Sequence, residues 1–160
     1  VTASVDETLT FTLASATVAL GTLTTATTGS GTSTMSAATN AASGYSITVS
    51  GTTLTSGANT ITALSSQTAS SQGSSQFGIN LKANTTPSVG SNVSGGGSGV
   101  ATANYNTADQ FRFVSGDSVA SASAPTNSNT FTVSYVANIA GSTLPGSYST
   151  TLTYIATANF

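Results

Sequence analysis

Apolar and polar residues alternate with period two along much of this chain, the spacing of strands that bury one face. The opening stretch VTASVDETLTFTL places Val1, Ala3, Val5, Leu9, Phe11 and Leu13 on one side, with Thr, Ser or Asp between them. One position breaks the pattern: Glu7 falls on the apolar side, beside Asp6. The clearest later runs are GYSITVS (Tyr45, Ile47, Val49), QFGINLKA (Phe77, Ile79, Leu81, Ala83), DQFRFVS (Phe111, Phe113) and NTFTVSYVANI (Phe131, Val133, Tyr135). The closing GSYSTTLTYIATANF keeps Tyr148, Leu152, Tyr154 and Ala156 in register. Weaker runs are TVALGTL (Thr17–Leu23, with Gly21 as a break), TSTMSA around Met35, and NTITAL after a turn at Ser56–Asn59. Good helix formers are scarce. About eight or nine strands joined by short turns predict an all-β fold. The expected form is an antiparallel two-sheet sandwich of jelly-roll type with an extended N-terminal strand. Tyr45, Phe77, Phe111, Phe113, Phe131 and Tyr148 are the expected large core anchors.

The pattern divides the chain into an N-terminal strand, residues 1–13, and a sandwich domain, residues 14–160. Within the domain, 84–104 reads NTTPSVGSNVSGGGSGVATAN, a Gly/Ser-rich stretch expected to be a flexible surface loop. Two N-x-S/T sequons, at Asn84 and Asn92, flank it and offer glycan acceptors.

Composition narrows the function. Only six residues are charged: Asp6, Glu7, Lys82, Asp109, Arg112 and Asp117. Ser and Thr supply more than a third of the chain. Two basic residues exclude phosphate-backbone binding, so nucleic acid is not an expected partner. A hydroxyl-rich surface of low charge has little repulsion to keep copies apart. The same bias, poor in Lys and Glu, points to an extracellular, cell-surface protein, with Val1 expected at the mature N-terminus after signal cleavage. No apolar run is long enough for a membrane span.

Candidate chemistry is thin. His and Cys are absent, which removes the commonest general base and the commonest activator of a nucleophile. Lys82 has the parity of an outward-facing strand residue, against both a Ser–Lys dyad and a buried isopeptide crosslink. Asp109 and Asp117 could meet across a turn as a carboxylate pair. Asn104, Asn106 and Asp109 have loop spacing for calcium but lack its density of acids, and read better as Asx-turns. The expectation is no enzyme, no cofactor and no metal. LPGSY at Leu144 reads as a turn into the last strand.

The tail LPGSYSTTLTYIATANF resembles the closing hairpin of secreted bacterial sandwiches, with a Gly-x-Tyr-x-x-x-Leu-x-Tyr pattern shared by WxL-type surface proteins and spore-coat-U-type pilins. Together with the long first strand and the absence of Cys, the chain looks most like camelysin-type biofilm fibre proteins and archaeal bundling pilins. That resemblance implies a jelly-roll subunit polymerised by donor-strand exchange.

Physics points the same way. Thirteen extended residues span roughly 43 Å, about twice a typical strand. A strand that long can add to a neighbour's sheet, placing alternate side chains in its core. Val1, Ala3, Val5, Leu9 and Phe11 are the expected donor and interface residues, and Asp6 with Glu7 the wet seam between donated and retained parts. The expected assembly is a head-to-tail homopolymer, a pilus or biofilm filament, with scope for lateral bundling. The competing layout is one bent strand crossing both sheets of its own domain. The alternative function is a monomeric adhesion or carbohydrate-binding module with Tyr105 as its best exposed aromatic, or, from the Thr-rich strands, an ice-binding surface.

Overall fold

The alternating runs form eight main strands in a computed structural model that describes all 160 residues. They are β1 (Leu9–Leu13), β2 (Gly29–Thr39), β3 (Tyr45–Gly51), β4 (Gln76–Asn80), β5 (Val100–Ala101), β6 (Ser118–Ala122), β7 (Thr126–Asn138) and β8 (Leu152–Ala158). One sheet has the order β1-β2-β7-β4, the other β5-β6-β3-β8, and the pairings within both are antiparallel. The fold is the expected all-β sandwich. No helix is long and apolar enough to cross a membrane.

The core follows from parity. Met35 and Ala37 of β2, Tyr45, Ile47 and Val49 of β3, and Phe131 and Val133 of β7 point inward and are buried. Phe77 and Phe113 meet edge to face, their ring centroids 5.4 Å apart. Burial of each large apolar side chain contributes about 1.5–3 kcal/mol. On the outer side of β7, Val136 packs with Leu64 and Phe111 in a second small cluster. The segments that carry those two residues cover this half of β7, and β4 beneath them is buried along its whole length. The amides there are paired: Asn138 Nδ2 donates to Gln76 Oε1 at 3.0 Å, and Asn80 Nδ2 to Asn84 Oδ1 at 2.6 Å.

Two pairings depart from an ordinary eight-stranded jelly roll: β5 joins β6 instead of β4, and β1 does not join β8. There the first strand pairs with the last. Here β1 lies on β2, from Leu9 opposite Thr39 to Leu13 opposite Met35. The last strand, β8, pairs with β3 alone, and its other edge carries no strand.

Several expectations need correction. The first strand runs only from Leu9 to Leu13, and residues 1–8 belong to no strand. The bent strand crossing both sheets is therefore not what forms. Leu9 and Phe11, expected at a subunit interface, pair with β2 and pack half-buried against the chain's own core. TSTMSA belongs to an 11-residue central strand, whereas Thr17–Leu23 forms none. DQFRFVS makes only isolated bridges, Phe111 to Thr68 and Arg112 to Ile79. The stretch 84–104 is built, not loose: Asn84–Thr85 pairs with Ser88–Val89, Ser94–Gly95 pairs with β7, and Val100–Ala101 is β5.

Candidate functional site

The unpaired edge of β8 opens onto an apolar groove of about 1000 Å³ between the two sheets. Its construction begins where β1 stops. After Leu13 the chain bends, with Ser15 Oγ donating to the Thr17 carbonyl at 2.8 Å, and crosses the start of β2. Val18, Leu20 and Leu23 pack there against the core. Gly29 and Gly31 make room for them: a Cβ at Gly31 would lie 2.6 Å from Val18 Cγ1, and one at Gly29 2.3 Å from Leu23 Cδ2. These residues form one wall. Leu152 and Tyr154 of β8, with Tyr148 and Leu144 before it, form the other, and Leu54, Phe77, Tyr135 and Ile139 also line the space.

A single polar chain spans the groove's inner end. Ser33 Oγ and Tyr135 Oη lie 2.9 Å apart, and Tyr135 Oη and Tyr154 Oη also 2.9 Å, so the second bond ties one sheet to the other. Burial, then the neighbouring Tyr135, pushes the Tyr154 hydroxyl upward, and it stays neutral. Leu13 and Leu144 remain exposed on the rim. They extend the apolar lining of the groove to its edge.

The second component is residues 1–5. Val1 and Val5 are fully exposed, and no hydrogen bond holds residues 1–5 to the body. Asp6 and Thr8 are held by Asn40, at the Leu9 end of β1. The groove lies at the Leu13 end, about 13 Å further along the strand. The segment therefore leaves the sandwich at the end opposite its own groove. Glu7 is exposed at this exit.

The remaining candidate residues are engaged elsewhere. The Asp109 carboxylate accepts from Thr85 N at 2.7 Å, Thr86 N at 2.8 Å and the Thr85 hydroxyl at 2.7 Å. The Thr86 amide, then the Thr85 hydroxyl and amide, hold its pKa below the usual carboxylate range. Asp109 takes a left-handed φ of 60° to do this, which for a non-glycine residue marks local strain. It thus clamps the start of the 84–104 stretch, and its oxygens are committed to that clamp. Asp117 binds Arg112 Nε and the Tyr105 hydroxyl, each at 2.9 Å. The two aspartates are not brought together as a pair. Tyr105, expected as an exposed aromatic, is fully buried. Its ring completes the core and its hydroxyl finds Asp117.

Asn84 is also buried, with its Nδ2 donating to Asn80 Oδ1, Lys82 O and Val89 O at 2.8–3.0 Å. The folded protein closes that sequon to a glycan. Asn92 is exposed and remains an acceptor in reach. Lys82 is half-buried. Pattern reading missed Asn40, the tyrosine bridge and the two close-approach glycines. Glycines at alternate inward positions of a strand were the one available signal. Neither a protein-family model, nor a curated protein, nor a solved structure matches this chain.

Proposed function

We propose that this chain is a non-catalytic structural subunit of an extracellular filament, joined head-to-tail by residues 1–5 of one copy in the groove of the next. One observation carries the reading: a free segment with alternating apolar residues leaves one end, and an apolar groove beside an unpaired strand edge opens at the other. The geometry favours a neighbour's groove over the chain's own. An inserted strand would form main-chain bonds with β8, taking the place a jelly roll gives its first strand, while Val1, Ala3 and Val5 fill the groove. Full burial of each valine is worth about 1.5–3 kcal/mol, against the ordering of an unpaired segment at about 1–2 kcal/mol per residue. Main-chain bonding and the shielding of an exposed edge supply the rest. A contact between unlike surfaces that does not close on itself propagates as a fibre.

Low charge and hydroxyl-lined sheet faces, such as Ser36 beside Thr130 and Ser46 beside Ser118, suit lateral bundling of such fibres. The monomeric carbohydrate-binding alternative loses its best exposed aromatic with the burial of Tyr105. Deletion of residues 1–5 tests the proposal. The shortened protein is expected to fold with the same melting temperature and to stay monomeric. Added peptide VTASVDETL should bind it. Filaments unchanged by the deletion would end the reading.

A further inference from the structure

We propose that Asn40 is the positioning residue that marks where the donated strand stops and the retained strand begins, and that it aims residues 1–5 away from the chain's own groove. This rests on the strand-donation reading and specifies how it is controlled. β2 ends at Thr39, so the regular ladder with β1 ends there too. Asn40 continues it with its side chain. Its backbone N–H donates to the Thr8 carbonyl at 3.3 Å. Its Oδ1 accepts from the Thr8 N–H at 2.7 Å, and its Nδ2 donates to the Asp6 carbonyl at 2.7 Å. The Thr39 hydroxyl adds a 2.7 Å bond to the same Thr8 carbonyl.

A carboxamide offers the donor and acceptor of a peptide group in one plane. Here it stands in for a missing rung and keeps the segment extended as far as Asp6. Past Asp6 the bonding stops. The boundary therefore falls between Val5 and Asp6. Glu7 interrupts the apolar alternation because residues 6–8 neither enter a neighbour nor reach the core.

The clamp has a functional consequence. Freed from Asn40, eight residues could reach about 26 Å from Leu9, enough to fold back the roughly 13 Å along β1 into the same molecule's groove. With the clamp, only five residues are free and they start out in the opposite direction. Asn40 thus favours insertion between copies over self-insertion. The requirement is specific: Asp lacks the donor for the Asp6 carbonyl, and Ala lacks both groups.

Asn40→Ala and Asn40→Asp test it, with two readouts. In the monomer, amide exchange at Thr8 should be about five- to tenfold faster in Asn40→Ala, with Phe11 unchanged, whereas Asn40→Asp retains protection at Thr8. In assembly, Asn40→Ala should yield mostly self-closed monomers and short filaments, in which amides 2–5 are protected at low protein concentration. Asn40→Asp should fall between Asn40→Ala and the unsubstituted protein. Faster Thr8 exchange with unchanged filament length would overturn the positioning role, as would unchanged Thr8 exchange in Asn40→Ala. If amides 2–5 stay unprotected in filaments of the unsubstituted protein, strand donation itself fails, and this inference with it.

Discussion

Tyr45 and Tyr105 are both fully buried, but only one of them has a partner for its hydroxyl. Tyr105 donates to Asp117, whereas Tyr45 Oη lies unpaired beneath Gly99. An unmet buried hydroxyl costs free energy and a met one returns some. Tyr45→Phe is therefore expected to be neutral or stabilising by about 1 kcal/mol, and Tyr105→Phe destabilising by about 1–2 kcal/mol, as read from urea midpoints. Burial pushes both hydroxyls up to about 12. The folded state thus favours the neutral phenol over the phenolate. That contribution is complete below the unfolded value near 10 and is lost as pH rises from about 10 to 12. Thermal unfolding should show a matching alkaline fall.

At the acid end the sign reverses. Asp109 titrates below the ordinary carboxylate range, so its ionised form favours the fold above about pH 4, and this support disappears as pH drops further. Asp109→Asn should flatten the acid limb of the stability profile and leave the neutral plateau lower. An unchanged acid limb in that variant would mean the clamp on Thr85 and Thr86 contributes nothing.

Among the elements, β2 is where side-chain size is most constrained. Gly31→Ala would drive a methyl into Val18, and overpacking of this kind typically costs about 1–3 kcal/mol. Phe131→Ala on the neighbouring strand β7 should cost about 3–5 kcal/mol by leaving a cavity. Both are checked by equilibrium unfolding. β3, β7 and β8 were legible because each alternates large apolar residues with Ser or Thr on a half-buried surface. β2 was legible only weakly, in TSTMSA around Met35: it reads GSGTSTMSAAT, and its inward positions are filled by Gly, Ser, Met, Ala and Thr. Its strand character comes from its place between β1 and β7, which no local pattern records. The reverse holds for Thr17–Leu23, whose apolar residues alternate yet serve a crossing segment. The stretch 84–104 looked loose by composition, but Asp109 and Asn129 pin it through side-chain bonds to its backbone, distant in sequence. Of the candidate site, only the alternation of Val1, Ala3 and Val5 was legible; the groove and its bare edge depend on β1 choosing β2 over β8, a tertiary outcome.

At the scale of the whole molecule, the two ends differ. From one leaves a segment with alternating apolar residues that belongs to no strand, and the other carries an unpaired strand edge beside an apolar groove. Because six charged residues are spread over 160, screening has little to act on. Assembly should therefore vary less than about twofold between 0.05 and 0.5 M salt, followed by light scattering. The absence of cysteine permits a direct test of the join. One population would carry Ala3→Cys, and a second, lacking residues 1–5, would carry Leu152→Cys in its groove. Strand donation predicts that mild oxidation of the mixture links the two populations in a covalent pair, and that excess VTASVDETL peptide blocks the link. Both proteins folded, with no cross-linked pair at concentrations where the unsubstituted protein forms filaments, would contradict it.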